Sequence, residues 1–305
     1  MTRLQANLVL LVTAFVWGTT FAVQQLAMTH VGPMIYTGAR FLLGALMVLP
    51  IALVQSRRLK RKADWRLGPA DRVGLTLLGC CLFVGALLQQ IGITSTTVSN
   101  AGFLTALYVP LTPLIALIFL RQIPHWVVWP AAAACTVGAY ILAGGDVTAI
   151  RTGDLWVIAG AFFWAIHVLL VGALARRTGA PFVVACIQFF VCAILGLTWG
   201  AASEPLGLAA VVAAAPYIVY GGVMSVGIGF TLQVVGQAHT PSPDAAIILS
   251  SETVFAALTG MIFLGERLGA VELLGCGLIL ASVVVVEVLP ARLPSRHAGP
   301  ASVGH

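Results

Sequence analysis

Apolar runs of about twenty residues, parted by short polar or Gly/Pro-marked breaks, set the pattern of this chain. Each run is long enough to cross the ~30 Å hydrocarbon core of a bilayer as a helix. Ten occur, near 7–27, 33–54, 73–94, 98–120, 124–144, 154–174, 181–200, 216–237, 243–264 and 269–289. The breaks carry Gly32-Pro33, the charged run 55–72, Pro124, Gly144-Gly145, Pro181, Pro205 and Pro241–Pro243. Residues 206–215 are apolar but short and stop at Pro216, so they are expected to lie along the surface rather than cross. The first run is long, is followed by Gln24 and Gln25, and has no clean A-x-A site. It reads as a retained helix rather than a signal peptide.

The pattern also repeats. Residues 85–120 moved by 144 positions land on 229–264 without a gap, and ten of those 36 positions are identical, among them Gly85/Gly229, Gln89/Gln233, Gly92/Gly236 and Thr96/Thr240. The starts of the halves agree at an offset of 147, where Ala14-Phe15-Val16-Trp17 faces Ala161-Phe162-Phe163-Trp164. The expected fold is an all-α integral membrane protein of ten transmembrane helices, built as two five-helix repeats over 1–145 and 146–289, with a disordered cytoplasmic tail at 290–305. Five crossings is an odd number, so the second repeat must enter the membrane from the opposite side. Duplicated membrane modules of this kind form solute sites at the repeat interface near the midplane.

Composition removes the soluble classes. The chain is 60% apolar and 9% charged, too little charge for a soluble domain of 305 residues. The net charge of +6 does not point to nucleic acid, because its sidedness explains it. With the N-terminus inside, 13 of 16 basic residues fall on the inner side, seven of them in the 55–72 run. Arg151 and Arg267 fall outside, and Arg40 lies within a helix. Both termini are therefore expected in the cytoplasm. The 55–72 run can bind anionic lipid or simply set topology. The six cysteines all lie in apolar spans without C-x-x-C spacing and read as small buried residues, with no metal implied.

Small residues at every fourth position, Ala131-Cys135-Ala139-Ala143 and Gly221-Ser225-Gly229, mark faces where helices approach closely. Ionisable residues inside spans are costly and turn toward the bundle interior or a wet cavity. Glu252 lies about 12 Å from the inner end of its span and Arg40 about 10 Å from the outer end of its own, which brings both near the midplane. They can lock the bundle by pairing, or act on a solute, Arg40 on an anionic group and Glu252 on an ammonium group or as a proton carrier. Trp17, Gln89, Tyr108, Trp164, His167, Gln188 and Gln233 are the other polar or aromatic groups at mid-depth. Gln89 and Gln233 are repeat partners, as are Tyr108 and Glu252. Pro110 and Pro113 allow a kink that the second repeat lacks, having Val254 and Ala257 there.

With the spans placed, the chain resembles the drug/metabolite transporter superfamily, EamA type with ten helices. Trp17-Gly18-Thr19-Thr20-Phe21 is similar to its W-G-x-x-F opening, and Pro33 with Ala39-Arg40-Phe41 to its P…R-F element. Leu88-Gln89-Gln90 through Asn100–Leu107, and Glu252-Thr253-Val254-Phe255-Ala256 with Leu264-Gly265-Glu266, resemble its later signatures. The resemblance implies a bacterial inner-membrane carrier, an exporter of amino acids, related metabolites or drugs, with small-molecule substrates and no cofactor. Two departures stand out. Thr253 replaces the proline that follows the glutamate, which predicts a stiffer ninth span. Arg121-Gln122 stands where Gly-Glu is usual, so no acid can be assigned there. Without a P-loop G-x-x-x-x-G-K-[ST], the expected mechanism is secondary transport by alternating access, with Glu252 as the one candidate proton carrier. The alternative class is an intramembrane lipid-modifying enzyme, but no H-E-x-x-H, D-x-x-x-D or G-x-S-x-G occurs to support its chemistry. Substrate, direction, coupling ion and oligomeric state are not readable from the chain.

Overall fold

A computed structural model describes residues 1–63, 65–96, 98–143, 151–205, 207–264 and 268–292. Among these the fold is all helical. In chain order the helices are α1 (Arg3–Gly18), α2 (Thr20–Ala27), α3 (Pro33–Ala63), α4 (Pro69–Ile93), α5 (Val98–Ala106), α6 (Tyr108–Leu120), α7 (Val128–Leu142), α8 (Thr152–Thr178), α9 (Pro181–Ser203) and α10 (Leu208–Tyr220). A π-helical segment (Gly221–Phe230) follows, then α11 (Thr231–Gln237), α12 (Ser242–Leu249), α13 (Glu252–Leu264) and α14 (Ala270–Arg292). Eight helical paths among the described residues are long and apolar enough to cross a membrane. Two of the ten anticipated spans fall outside that group. α7 has 15 residues, and the ninth span is divided into α12 and α13 by Ser250 and Ser251. The junction of the two expected repeats, the acids Asp64, Asp146 and Glu266, the cation Arg267 and the tail beyond 292 lie outside the described residues.

The basic run after residue 55 does not end its helix. α3 continues through Arg57, Arg58, Lys60 and Arg61 to residue 63, because Arg, Leu and Lys are good helix formers. Residues 208–215 are not a separate surface piece. They open a path of 30 residues, Leu208–Gln237, with Pro216 inside it. A proline costs one backbone bond, but away from water the flanking backbone keeps its own partners only by remaining helical.

The halves interlock. α3 packs along α9, and α7 along α14. α4 packs on α8, while α1 packs on the π segment and α11. α8 also meets α5 and α6, as α1 meets α12 and α13. Each pair joins a helix before residue 144 to one after 150. At two crossings the backbones nearly touch. A Cβ on Gly38 would lie 2.5 Å from the Leu197 nitrogen, and one on Gly138 would lie 2.7 Å from the Gly275 carbonyl oxygen, so only glycine fits. The α3–α9 pair is also tied at its ends. Both Glu204 carboxylate oxygens accept from the Met34 and Ile35 amides, and Gln55 Oε1 accepts from the Phe182 and Val183 amides. These side chains satisfy first-turn N–H groups that have no intrahelical partner.

Two large apolar cores result, beside two smaller clusters around Phe21 and Tyr36. One joins α3, α4, α8, α9 and the π segment around Phe41, Phe189 and Phe230. The other joins α6, α7, α12 and α14 around Val109, Cys135, Ile247 and Ile279. Trp17 and Trp164 pack against both, which places them at the centre of the molecule. Ile118, Phe119 and Leu208 stand open on the outside, where acyl chains rather than water suit them.

Candidate functional site

A pocket lies at the junction of the two cores. Its wall is built of repeat partners. Trp17 and Trp164, Phe21 and Val168, Gln89 and Gln233, Thr105 and Leu249, and Tyr108 and Glu252 all line it, at offsets of 147 or 144. Thr20, Gln24, Arg40, Ser225 and Phe230 complete it. Phe230 sits between the tryptophans, with ring centroids 4.6 Å from Trp17 and 5.8 Å from Trp164.

Three interruptions bring the polar groups inward. α1 gives way to α2 at Thr19, where Thr19 and Thr20 hydroxyls donate to the Val16 and Trp17 carbonyls. α5 gives way to α6 at Leu107, four residues after Phe103 and three before Pro110. Pro110 has no N–H for the carbonyl of Ala106, and its ring crowds that carbonyl, which is where α5 ends. α12 gives way to α13 without a proline. Ser250, Ser251 and Thr253 hydroxyls donate to the carbonyls of Ile247, Ile248 and Ser250 at 2.6–2.8 Å. The substitution of threonine for proline at 253 therefore does not leave the ninth span straight, contrary to the expectation from its sequence. Hydroxyls that capture local carbonyls do the work instead. Tyr108 and Glu252 are each the first residue after their break.

The halves differ in how they hold their tryptophan. Trp164 Nε1 donates to Gln89 Oε1 at 2.9 Å. Trp17 Nε1 donates to the Ser225 carbonyl in the π segment at 3.2 Å. Gln233 is 1% exposed and its Oε1 has no hydrogen-bond partner. The Gly221-Ser225-Gly229 row anticipated as one α-helical face is accordingly split. Gly221 faces Tyr36 on α3, whereas Gly229 faces the Trp17 indole, because the π turn shifts the register between them.

Arg40 is 3% exposed and Glu252 4%. Arg40 Nη1 donates to Gln24 Oε1 at 2.8 Å, and its guanidinium lies 5.1 Å and 5.2 Å from the ring centroids of Tyr36 and Phe41. Gln90 Nε2 holds the Gln24 carbonyl at 3.2 Å. The ion pairs among the described residues are Arg3–Asp244 and Arg177–Asp71, so Arg40 and Glu252 share a pocket without pairing. The Tyr108 hydroxyl, Thr105 Oγ1 and Arg40 Nε also have no hydrogen-bond partner. A guanidinium, a carboxyl and several neutral hydrogen-bonding groups thus face a common small space.

Seven of the nine anticipated site residues line the pocket: Trp17, Arg40, Gln89, Tyr108, Trp164, Gln233 and Glu252. His167 and Gln188 do not. They bond each other, Nε2 to Oε1 at 2.8 Å, both fully buried behind Trp164. The lining residues not anticipated as site residues are Thr20, Phe21, Gln24, Thr105, Val168, Ser225, Phe230 and Leu249. The repeat offset would have found Phe21 with Val168 and Thr105 with Leu249. No group of three or more His, Cys, Asp or Glu side chains converges among the described residues.

Known proteins share this plan. The EamA-like transporter family matches twice, over residues 4–144 and 151–288. A protein named only as an uncharacterized transporter from Archaeoglobus fulgidus is 29% identical over 287 residues, covering 94% of this chain and 87% of its own length. The threonine/homoserine exporter RhtA of Escherichia coli K12 is 28% identical over 229 residues, or 72% of each chain. A crystal structure with 19% sequence identity superposes with a TM-score of 0.76, covering 96% of this chain and all of the other, and so shares the fold.

Proposed function

Since the chain belongs to the EamA-like transporter family, we propose that this multi-pass membrane protein is a secondary active transporter that exports amino acids or related small metabolites, or drugs, across the bacterial inner membrane by alternating access. The observation that carries the reading is the central pocket, where five pairs of repeat-related residues meet beside Arg40 and Glu252, neither in an ion pair among the described residues. The double family match and the interlocked packing support two five-span repeats of opposite orientation, α7 and the divided α12–α13 serving as the short crossings. Basic residues concentrated on one side favour both termini in the cytoplasm.

In this reading Arg40 holds a carboxylate and Glu252 holds an ammonium group or carries the coupling proton. Trp17, Trp164 and Phe230 form the apolar wall, and the interrupted helices are the points at which the halves bend. His167 and Gln188 support Trp164 from behind rather than touch the solute. The similarity to RhtA makes threonine and homoserine the first solutes to try. The lipid-modifying alternative is not favoured, since the named relatives are transporters.

The test is counterflow in liposomes loaded with a single unlabelled solute, threonine and homoserine first, and offered the same solute radiolabelled outside. Accumulation of label against a matching internal solute, abolished by Glu252→Lys, supports the proposal. Vesicles that retain every solute tested while a modified lipid accumulates would overturn it.

A further inference from the structure

The repeat gives the pocket two glutamines, and the structure treats them differently. Gln89 lies on α4, an unbroken helix from Pro69 to Ile93, and its Oε1 is taken by the Trp164 indole at 2.9 Å. Gln233 lies 144 residues later on α11, directly after the π segment. The corresponding indole, Trp17, is drawn to the Ser225 carbonyl instead, at 3.2 Å. The indole there packs directly on the Gly229 backbone, where an added Cβ would lie only 2.6 Å from its Nε1. Gln233 Oε1 is left buried and unpaired on the pocket wall. A buried carbonyl without a donor is destabilising, so its persistence asks for a donor brought from outside.

Resting on the transport reading above, we infer that Gln233, and not its repeat partner Gln89, determines specificity by accepting a hydrogen bond from an amino-bearing solute. Three residues that carry acceptors of different kinds line the one pocket: Gln233 with its amide carbonyl, Glu252 with its carboxylate, and Tyr108, whose hydroxyl also has no hydrogen-bond partner. A primary ammonium has three N–H donors in a tetrahedral array. A 2-hydroxy acid of the same skeleton has one O–H donor. Arg40 on the same pocket takes the carboxylate of either. The site therefore selects zwitterions with a free amine over otherwise matching anions. The π segment is the positioning element, because its register decides which indole is satisfied by backbone and which by side chain.

The experiment compares affinity for L-amino acids and for their matching 2-hydroxy acids on purified protein, read by ligand-induced thermal stabilisation. Wild type is expected to favour the amino series. Gln233→Met, close in volume, should cut that preference about tenfold, the worth of one hydrogen bond to a charged donor. Gln89→Met should lower the melting temperature of the free protein and leave the preference unchanged, as expected when a scaffold bond is lost. Where Gln233→Met does not fold, Gln233→Asn, which withdraws the amide by one methylene, is read in the same way. A preference unmoved at 233, or moved equally at 89, overturns the assignment. So does a wild type without preference for amines, and in that case transport of other solutes stands or falls separately on counterflow.

Discussion

Two of the three divided helices, α5–α6 and α12–α13, break at the same place by different chemistry. Their second pieces, Tyr108–Leu120 and Glu252–Leu264, are offset by 144 residues at both ends. In the first, Pro110 removes a donor from the Ala106 carbonyl. In the second, the hydroxyls of Ser250, Ser251 and Thr253 turn onto carbonyls of the preceding turn. The position of the break is common to both, and its cause is not. What the two share is the result: the first side chain after each break reaches the central pocket. One break delivers a phenol and the other a carboxyl, so a near-symmetric scaffold carries an asymmetric charge.

The sharpest way to test that asymmetry is to exchange the delivered groups. Glu252→Gln should abolish transport driven by a proton gradient while solute exchange continues, whereas Tyr108→Phe should slow both only several-fold. Gradient-driven flux in proteoliposomes reads the difference, and full-rate flux through Glu252→Gln would make Glu252 structural. Next in size is Arg40→Gln. It should weaken carboxylate-bearing solutes by tenfold or more relative to neutral ones, since a charge-assisted bond is worth about 1.5–3 kcal/mol. Equal loss for both kinds in a competition assay would assign Arg40 to folding.

The breaks themselves come third. Run together as one helix, α5–α6 would hold Pro110 in its interior at a cost of about 3 kcal/mol, and a hydroxyl bond to a carbonyl is worth about 1 kcal/mol. Pro110→Ala should therefore raise the melting temperature more than the double change Ser250→Ala with Ser251→Ala, and should slow turnover more. Unchanged turnover in both would mean that the breaks deliver side chains but do not bend. The smallest contrast lies in the glycines under the tryptophans. A Cβ at 229 would sit 2.6 Å from Trp17 and one at 85 would sit 3.4 Å from Trp164. Gly229→Ala should lower stability, while Gly85→Ala should be near neutral, as thermal melts of the two proteins side by side would record.

Much of the framework was legible in the chain. The offset of 144 located the second copies of Gln89 and Tyr108, and the cost of charge in lipid singled out Arg40 and Glu252. Pro110 announced the break in α5–α6. The matching break was hidden, because Thr253 in place of proline suggests a straight helix and the capture of carbonyls by Ser250 and Ser251 depends on rotamers. His167 looked like a site residue by depth alone, but depth does not say which way a helix faces, and here it faces Gln188. Gln24 was noticed only as a polar end to the first span. Its hold on Arg40 joins α2 to α3, a contact no local pattern records.

The sequence by itself determined that the chain is helical, lives in lipid and is duplicated. Those follow from local requirements, since every buried backbone group needs a partner within its own segment and every lipid-facing side chain must be apolar. Only the tertiary structure decided which twin of each pair is satisfied and which is left open. That choice depends on the π register of residues 221–230 and on an indole more than 200 positions away in the chain, and such a contact exists only once the two halves have closed on each other.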